Sequence, residues 1–336
     1  MRKKGNIPKK PVLFIACEGT STEFNYFTSW AETDIALETF QRVDVYPDEN
    51  EDRPKTTPYQ LYEIAKEVLD TGIADFAWIV FDKDNHPRLP ATFAGAAAAN
   101  IKIAFSSRSF EEWVLLHFQK NSTPFNATGC DNAPYCGTAG TPNCTPTNCL
   151  TGHIRRQNFI PAYSKQTTFD LFGEINGNTD IALVNTAWLR AQVGASVNVA
   201  QPALHLLNPY TDVDQLIHQL TQNELLIEWG NANTNVTLSR WIVNAELNNA
   251  EILVRVSHNQ PNAQLLNGAF TSGLMTTDDV LNETACTVIG SQYLANNNGS
   301  DAQILRTGDT IEYRLQTNNQ PYFLFKNDNV RVYITL

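Results

Sequence analysis

Residues 76–87, FAWIVFDKDNHP, run apolar for six positions and then set Asp82, Asp84 and His86 on alternate positions. On extended backbone, residues i and i+2 point the same way, so Asp82 and Asp84 can project together from a strand end into one crevice. Paired carboxylates make a hard-oxygen site for a divalent cation. Mg²⁺ typically takes one or two protein carboxylates and keeps waters that a phosphate oxygen can replace. A metal so held polarises a phosphoryl oxygen and generates hydroxide. Glu18, closing the apolar run PVLFIACEG, and Glu111, opening a helical pattern just after IKIAFS, stand at comparable places. Like charges brought together raise one another's pKa unless a cation neutralises them. The competing reading is local: the two aspartates cap the next helix or shape a turn, as such pairs do in loops.

The elements that must position these residues alternate. PVLFIACEG reads as a buried strand, TSTEFNYFTSWAE as a helix with Glu23 near its first turn, and RVDVYP as a second strand. TTPYQLYEIAKEVLDTG carries Pro58 near a helix start, apolar Leu61, Ile64, Ala65 and Val68 at helical spacing, and Gly72 past its end. FAWIVF, an Ala-rich helix and IKIAFS follow. Strands alternating with helices predict an α/β fold, a parallel sheet with helices on both faces. Ligands of such sheets bind outside the carboxyl ends of the strands, where Glu18 and Asp82 fall. SFEEWVLLHFQK, SKQTTFDLFGEI, DIALVNTAWLRAQV and DVDQLIHQLTQNELLIEW read as helices. From Asn231, segments such as VTLSRWIV, AEILVRVS and NVRVYITL are short, β-branched and aromatic, and separated by Asn, Gly and Pro turns. They predict an appended all-β, sandwich-like module.

VLFIACEGTSTEFNYF, WIVFDKDNHP, IKIAFSSRSFEEWVLLHF and NPYTDVDQLIHQL, in this order over about residues 11–229, resemble the RloB family. That family is encoded near restriction-modification genes, and its core is similar to the Toprim domain of topoisomerases, primases and OLD-type nucleases. The resemblance implies a Toprim-like core over 1–120, a Cys-rich insertion over 121–153 and a helical continuation over 154–230, and it does not cover the β domain over 231–336, which looks like an addition. It gives Glu18 the place of the Toprim glutamate, acid/base or metal ligand, and gives Asp82 and Asp84 the metal-binding D-x-D positions. Glu111 takes the acidic place of the F-E-x-W segment, and His86 the histidine after the acidic pair. His86 then orients a phosphate or donates a proton, or else caps a turn or bonds a carboxylate. The family's usual Asn-Pro before F-E-x-W is SSRS here, which bears on the aim of Glu111, and Arg108 in that turn is either a phosphate ligand or a solvated side chain.

Four of the six cysteines, Cys130, Cys136, Cys144 and Cys149, lie in a Pro/Thr-rich stretch spaced C-x5-C-x7-C-x4-C, with His153 four residues later. Four thiolates could surround a structural Zn²⁺ in a loop with little apolar surface to bury. Two disulfides or four free thiols are the alternatives. Cys17 and Cys286 stand in apolar strand contexts and read as core.

The 336 residues suit two domains or more, and 42% hydrophobic with 18% charged residues excludes a disordered or collagen-like chain. No apolar run approaches the roughly 20 residues that span a bilayer, and no signal-peptide pattern follows the basic start, so the expectation is a cytoplasmic protein without a membrane partner. A net charge of −11 argues against a general nucleic-acid coat but not against a nuclease, whose metal-holding acids lower the total. Two functions follow. One is an Mg²⁺- or Mn²⁺-dependent phosphodiesterase of Toprim type, a nuclease acting on DNA, RNA or tRNA in prokaryotic defence against phage. The other is a non-catalytic sensor or regulatory subunit; by resemblance, it would work with an AAA or ABC-type ATPase that holds it inactive until infection. A homo-oligomer is compatible with either.

Overall fold

The computed structural model describes residues 10–47, 57–84, 86–125, 149–196, 203–221, 226–238, 241–258, 269–275, 287–293, 305–307, 310–317, 321–326 and 330–336. The chain divides into two compact units, Met1–Gln222 and Asn223–Leu336.

In the first unit, β1 (Val12–Cys17), β2 (Arg42–Tyr46), β3 (Phe76–Asp82) and β4 (Lys102–Ser107) run parallel, and short β5 (Tyr210–Thr211) joins antiparallel at the edge. The sheet order is β2-β1-β3-β4-β5. β1 is buried along its whole length, the reason it reads as a continuous apolar run rather than an alternating one. Alternate residues serve opposite faces. Phe14, Ala16, Ile79, Phe81 and Phe105 share a core with Leu61 and Ala65 of α3 (Pro58–Asp70) and with Leu89 and Ala96 of α4 (Leu89–Ala98). Trp78 turns the other way, and its Nε1 donates to Gln219 Oε1 of α9 (Val213–Thr221) at 2.7 Å. The α/β expectation therefore describes this unit, with a mostly parallel sheet flanked by helices.

Local chemistry explains the helix starts. Thr57 and Gln60 form a reciprocal capping box around Pro58, which needs no N–H there. On α1 (Thr22–Ala31), Tyr26 and Phe27 pack edge-on with Phe110, and the Tyr26 hydroxyl accepts from Trp113 Nε1 of α5 (Glu111–Leu116) at 3.1 Å. After β1 the chain passes through α1 and α2 (Asp34–Thr39) to β2 on one side, then crosses β1 through α3 to β3 and runs on to β4. The winding direction reverses between β1 and β3, and a crevice opens outside their carboxyl ends at such a switch point.

Three expected helices are shorter than their patterns, and SFEEWVLLHFQK is helical only over α5. In SKQTTFDLFGEI only α7 (Leu171–Ile175) is helical, begun by Asp170 Oδ1 accepting from Gly173 N at 2.9 Å. Helix α9 stops at Thr221, and LIEWGN that follows is strand β6 (Leu226–Asn231). Its β-branched and aromatic residues pair in parallel with β15 (Val330–Thr335), a partner a hundred residues on that no local pattern reveals. The remaining helices are α6 (Leu150–Arg156) and α8 (Thr179–Ser196).

The second unit is all β. One sheet has the order β11 (Thr287–Tyr293), β10 (Ala269–Met275), β14 (Tyr322–Lys326), β15, β6. The other has the order β12 (Leu305–Thr307), β13 (Thr310–Gln316), β9 (Glu251–His258), β8 (Trp241–Asn248), β7 (Asn235–Leu238). All pairings but β6–β15 are antiparallel. Val243, Ala245, Ile252, Val254 and Val256 of one sheet share a core with Phe323, Phe325, Val332 and Ile334 of the other, the arrangement of a sandwich. Among the described residues, no helix is long and apolar enough to cross a membrane.

Candidate metal centre

Glu18 follows the last residue of β1. Its N–H donates to Val80 O of β3 at 2.9 Å, which locks the two strand ends together. Gly19, at φ +84°, then turns the chain away in a backbone region that residues with a Cβ avoid. The Glu18 carboxylate points across to β3, where Oε2 accepts from Asp82 N at 3.3 Å. Oε1 lies 2.8 Å from His86 Nε2, close enough for an ion pair but without hydrogen-bond alignment. Both side chains are largely buried. Glu18, Asp84 and His86 each place a ligand atom so that all three lie within 4.8 Å of one another.

Asp82, the last residue of β3, is set deeper. Its Oδ1 is buried with no hydrogen-bond partner. Asp84, by contrast, has left the strand and is exposed. The i, i+2 spacing thus separates the two aspartates by depth. Asp84 joins Glu18 and His86 in front, while Asp82 faces a second acidic layer with Glu23 of α1 and Glu111 of α5, whose charges reach it.

Glu111 is 1% exposed and held by three donors. Tyr163 Oη donates to Oε1 at 2.6 Å, Lys165 Nζ to the same oxygen at 2.9 Å, and Ser109 Oγ to Oε2 at 2.5 Å. Burial alone would raise this carboxyl, but Lys165, Ser109 and Tyr163 outweigh it and hold it below its ordinary value. Glu111 is therefore ionised and already paired. Lys165 sits in the loop between α6 and α7, pinned by Arg155 Nε donating to Tyr163 O at 2.7 Å and Asn25 Nδ2 donating to Thr167 O at 2.9 Å.

The other acids have no such supply of donors. Burial, with the charges of Asp84 and Glu23, pushes Glu18 up to about 8 against the opposing Asp82 N–H. Burial pushes Glu23 up to about 7, helped by Glu111 and Asp84 and opposed by its own backbone N–H and by Lys165. Asp82 is raised well above its ordinary range by burial and by Glu23, Glu111 and Glu18. His86 is held below its ordinary value by burial, with Asp84 pulling the other way. Desolvated, mutually repelling carboxylates beside a neutral imidazole are what a divalent cation relieves. The oxygen and nitrogen donors suit Mg²⁺ or, with the imidazole, Mn²⁺.

A family model described as RloB-like protein matches residues 13–220. The chain belongs to the RloB-like family. No curated protein and no solved structure matches it. The matched region ends with the first unit of this RloB-like chain, and the β sandwich lies outside it.

Within the matched region, NPYTDVDQL proves to be scaffold. Tyr210 and Thr211 form edge strand β5, with Thr211 Oγ1 3.0 Å from Ser106 Oγ, and Asp214 takes both arms of Arg190 of α8 at 2.8 and 2.7 Å. Two residues of the acidic cluster were missed in the sequence. Glu23 had a signal, an acid in the first turn of the helix that follows Glu18. Lys165 had none, because only the tertiary fold carries it 54 positions back to Glu111. Of the cysteines, Cys130, Cys136, Cys144 and Cys286 lie outside the described residues. Cys149 is buried at the start of α6, its Sγ accepting from Gly152 N at 3.2 Å, and Cys17 is buried in β1.

Proposed function

We propose that this RloB-like chain is a divalent-cation-dependent phosphodiesterase, a nuclease of Toprim type that acts in the cytoplasm in prokaryotic defence against phage. The observation that carries the reading is the meeting of Glu18, Asp84 and His86 at the β1/β3 switch point, with Asp82, Glu23 and Glu111 behind them. Glu18, Asp84 and His86 would hold Mg²⁺ or Mn²⁺, and Asp82 would orient what binds there. When bound, the cation supplies Lewis acidity toward a phosphoryl oxygen and toward water. The chain's own part is to keep the carboxylates close and desolvated until a cation and a phosphate arrive together. Glu18 carries a proton up to about pH 8, and as a ligand it would give that proton up when the cation binds. Cleavage of DNA, RNA and tRNA with Mn²⁺ by the native chain and by Asp84→Ala tests this. A loss of 10²-fold or more is expected, on the scale of removing a group that stabilises transition-state charge, and equal cleavage by both would remove the site from any mechanism.

A second reading is favoured by the β sandwich, which has its own core and lies outside the family match. In it the chain is a regulatory subunit of a defence complex with an ATPase partner, the sandwich serving as the recognition surface. A metal-loaded chain inert on every nucleic acid, yet purifying with an ATPase, would select it.

A further inference from the structure

The acidic cluster carries a cation of its own. Lys165 reaches it from the 157–170 loop with its side chain 27% exposed and its Nζ 2.9 Å from Glu111 Oε1. That oxygen also takes the Tyr163 hydroxyl, and Oε2 takes Ser109, so both oxygens of Glu111 are engaged. The ammonium charge acts on Asp82 and Glu23 as well. Asp82 Oδ1 is buried without a hydrogen-bond partner, and the Lys165 charge reaches this carboxyl. A divalent ion entering among Glu23, Asp82 and Glu111 would have to displace three donors and approach a fixed positive charge where little water screens the repulsion. Among the described residues, no cation is set against Glu18 or His86 in this way.

We propose that the site takes a single divalent cation, at Glu18, Asp84 and His86, and that the Lys165 ammonium, held on Glu111, stands where a second metal ion would otherwise bind. This rests on the reading of the site as a metal centre. Two-metal phosphodiester sites use the second ion to neutralise charge beside the first. Here Lys165 is a positioning residue with that electrostatic duty, acting through Glu111 and Asp82. It keeps the inner carboxylates compact and leaves the outer three for the ion.

The test is Mn²⁺ stoichiometry on the full-length chain, from calorimetric titration paired with the electron paramagnetic resonance signal of free Mn²⁺. Thiolates prefer softer ions, so the cysteines do not enter the count. The native chain is expected to bind one ion, Lys165→Arg one, Lys165→Ala two, and Asp84→Ala none. Two ions on the native chain, one ion still on Asp84→Ala, or one ion on a folded Lys165→Ala would each overturn the proposal while leaving a metal site in place. Should Lys165→Ala fail to fold by circular dichroism, the native and Asp84→Ala counts decide alone. No ion on the native chain would instead overturn the metal centre itself.

Discussion

Glu18 sets the terms of cation binding. Its pKa of about 8 means that below this pH a proton occupies the carboxylate the ion needs, and metal affinity falls wherever a ligand must first lose a proton. The sign is fixed: Mn²⁺ affinity rises with pH and levels off above about 8, by up to tenfold per unit below it. Mn²⁺ titrations in a pH series from weakly acidic to weakly alkaline solution check this, and a flat profile would mean that Glu18 is not a ligand. His86, held below its ordinary value, is already neutral across most of that range and adds little slope. At this scale the sequence was legible where chemistry and strand end coincide, at Glu18, Asp82, Asp84 and His86. Depth was not legible, since alternation places Asp82 and Asp84 on one side without telling which is buried and which leaves the strand. Glu111 was visible as an acid, but not its three donors, which come partly from the loop holding Tyr163 and Lys165.

Among the elements, α5 and the residue that follows it bury two ionisable groups that no site uses, Glu112 and His117. Glu112 is fully buried; Asn121 Nδ2 donates to its Oε1 at 2.9 Å while Oε2 has no hydrogen-bond partner, and burial pushes the carboxyl up to about 8 from an ordinary 4.5. Between those values the folded chain keeps a proton that the unfolded chain has lost, so stability falls as pH rises. His117, also fully buried, is held down to about 4 from 6.5 by burial against bonds to Trp113 and Val114. Between those values the unfolded chain binds the extra proton, so stability rises with pH. From 4.5 to 6.5 the two slopes oppose each other, and above 6.5 only Glu112 of the pair still acts, adding to the losses from the raised Glu18 and Glu23. Glu112→Gln, which keeps the shape and the bond to Asn121, should therefore stabilise the chain at pH 7 by roughly 1–3 kcal/mol and flatten the alkaline limb. Chemical denaturation at pH 5 and pH 7 measures it, and equal effects at both would contradict the assignment. The α5 pattern was legible as a helix but not its depth: it is buried along all six residues, because α1, α6 and α8 close around it.

At the scale of the whole molecule, two units have separate cores, and every residue of the candidate site belongs to the first. Alternating strands and helices, then a run of short β segments, made this division legible, since each class of core leaves its own period in the sequence. The break itself was misplaced by a few residues because LIEW continues a helical spacing but finds its partner in the last strand of the chain. The switch point between β1 and β3 was legible only as a sequence of elements; the crossing over β1 that creates it depends on strand order, which no local pattern encodes. The central claim, that acids from separate strand ends meet to grip one cation, is tested most directly by the anomalous difference map of a crystal of the full-length chain soaked in Mn²⁺. A single strong peak bonded to Glu18, Asp84 and His86, absent in Asp84→Ala, is the expected result. A map with no peak at the ends of β1 and β3 under saturating Mn²⁺ would contradict it.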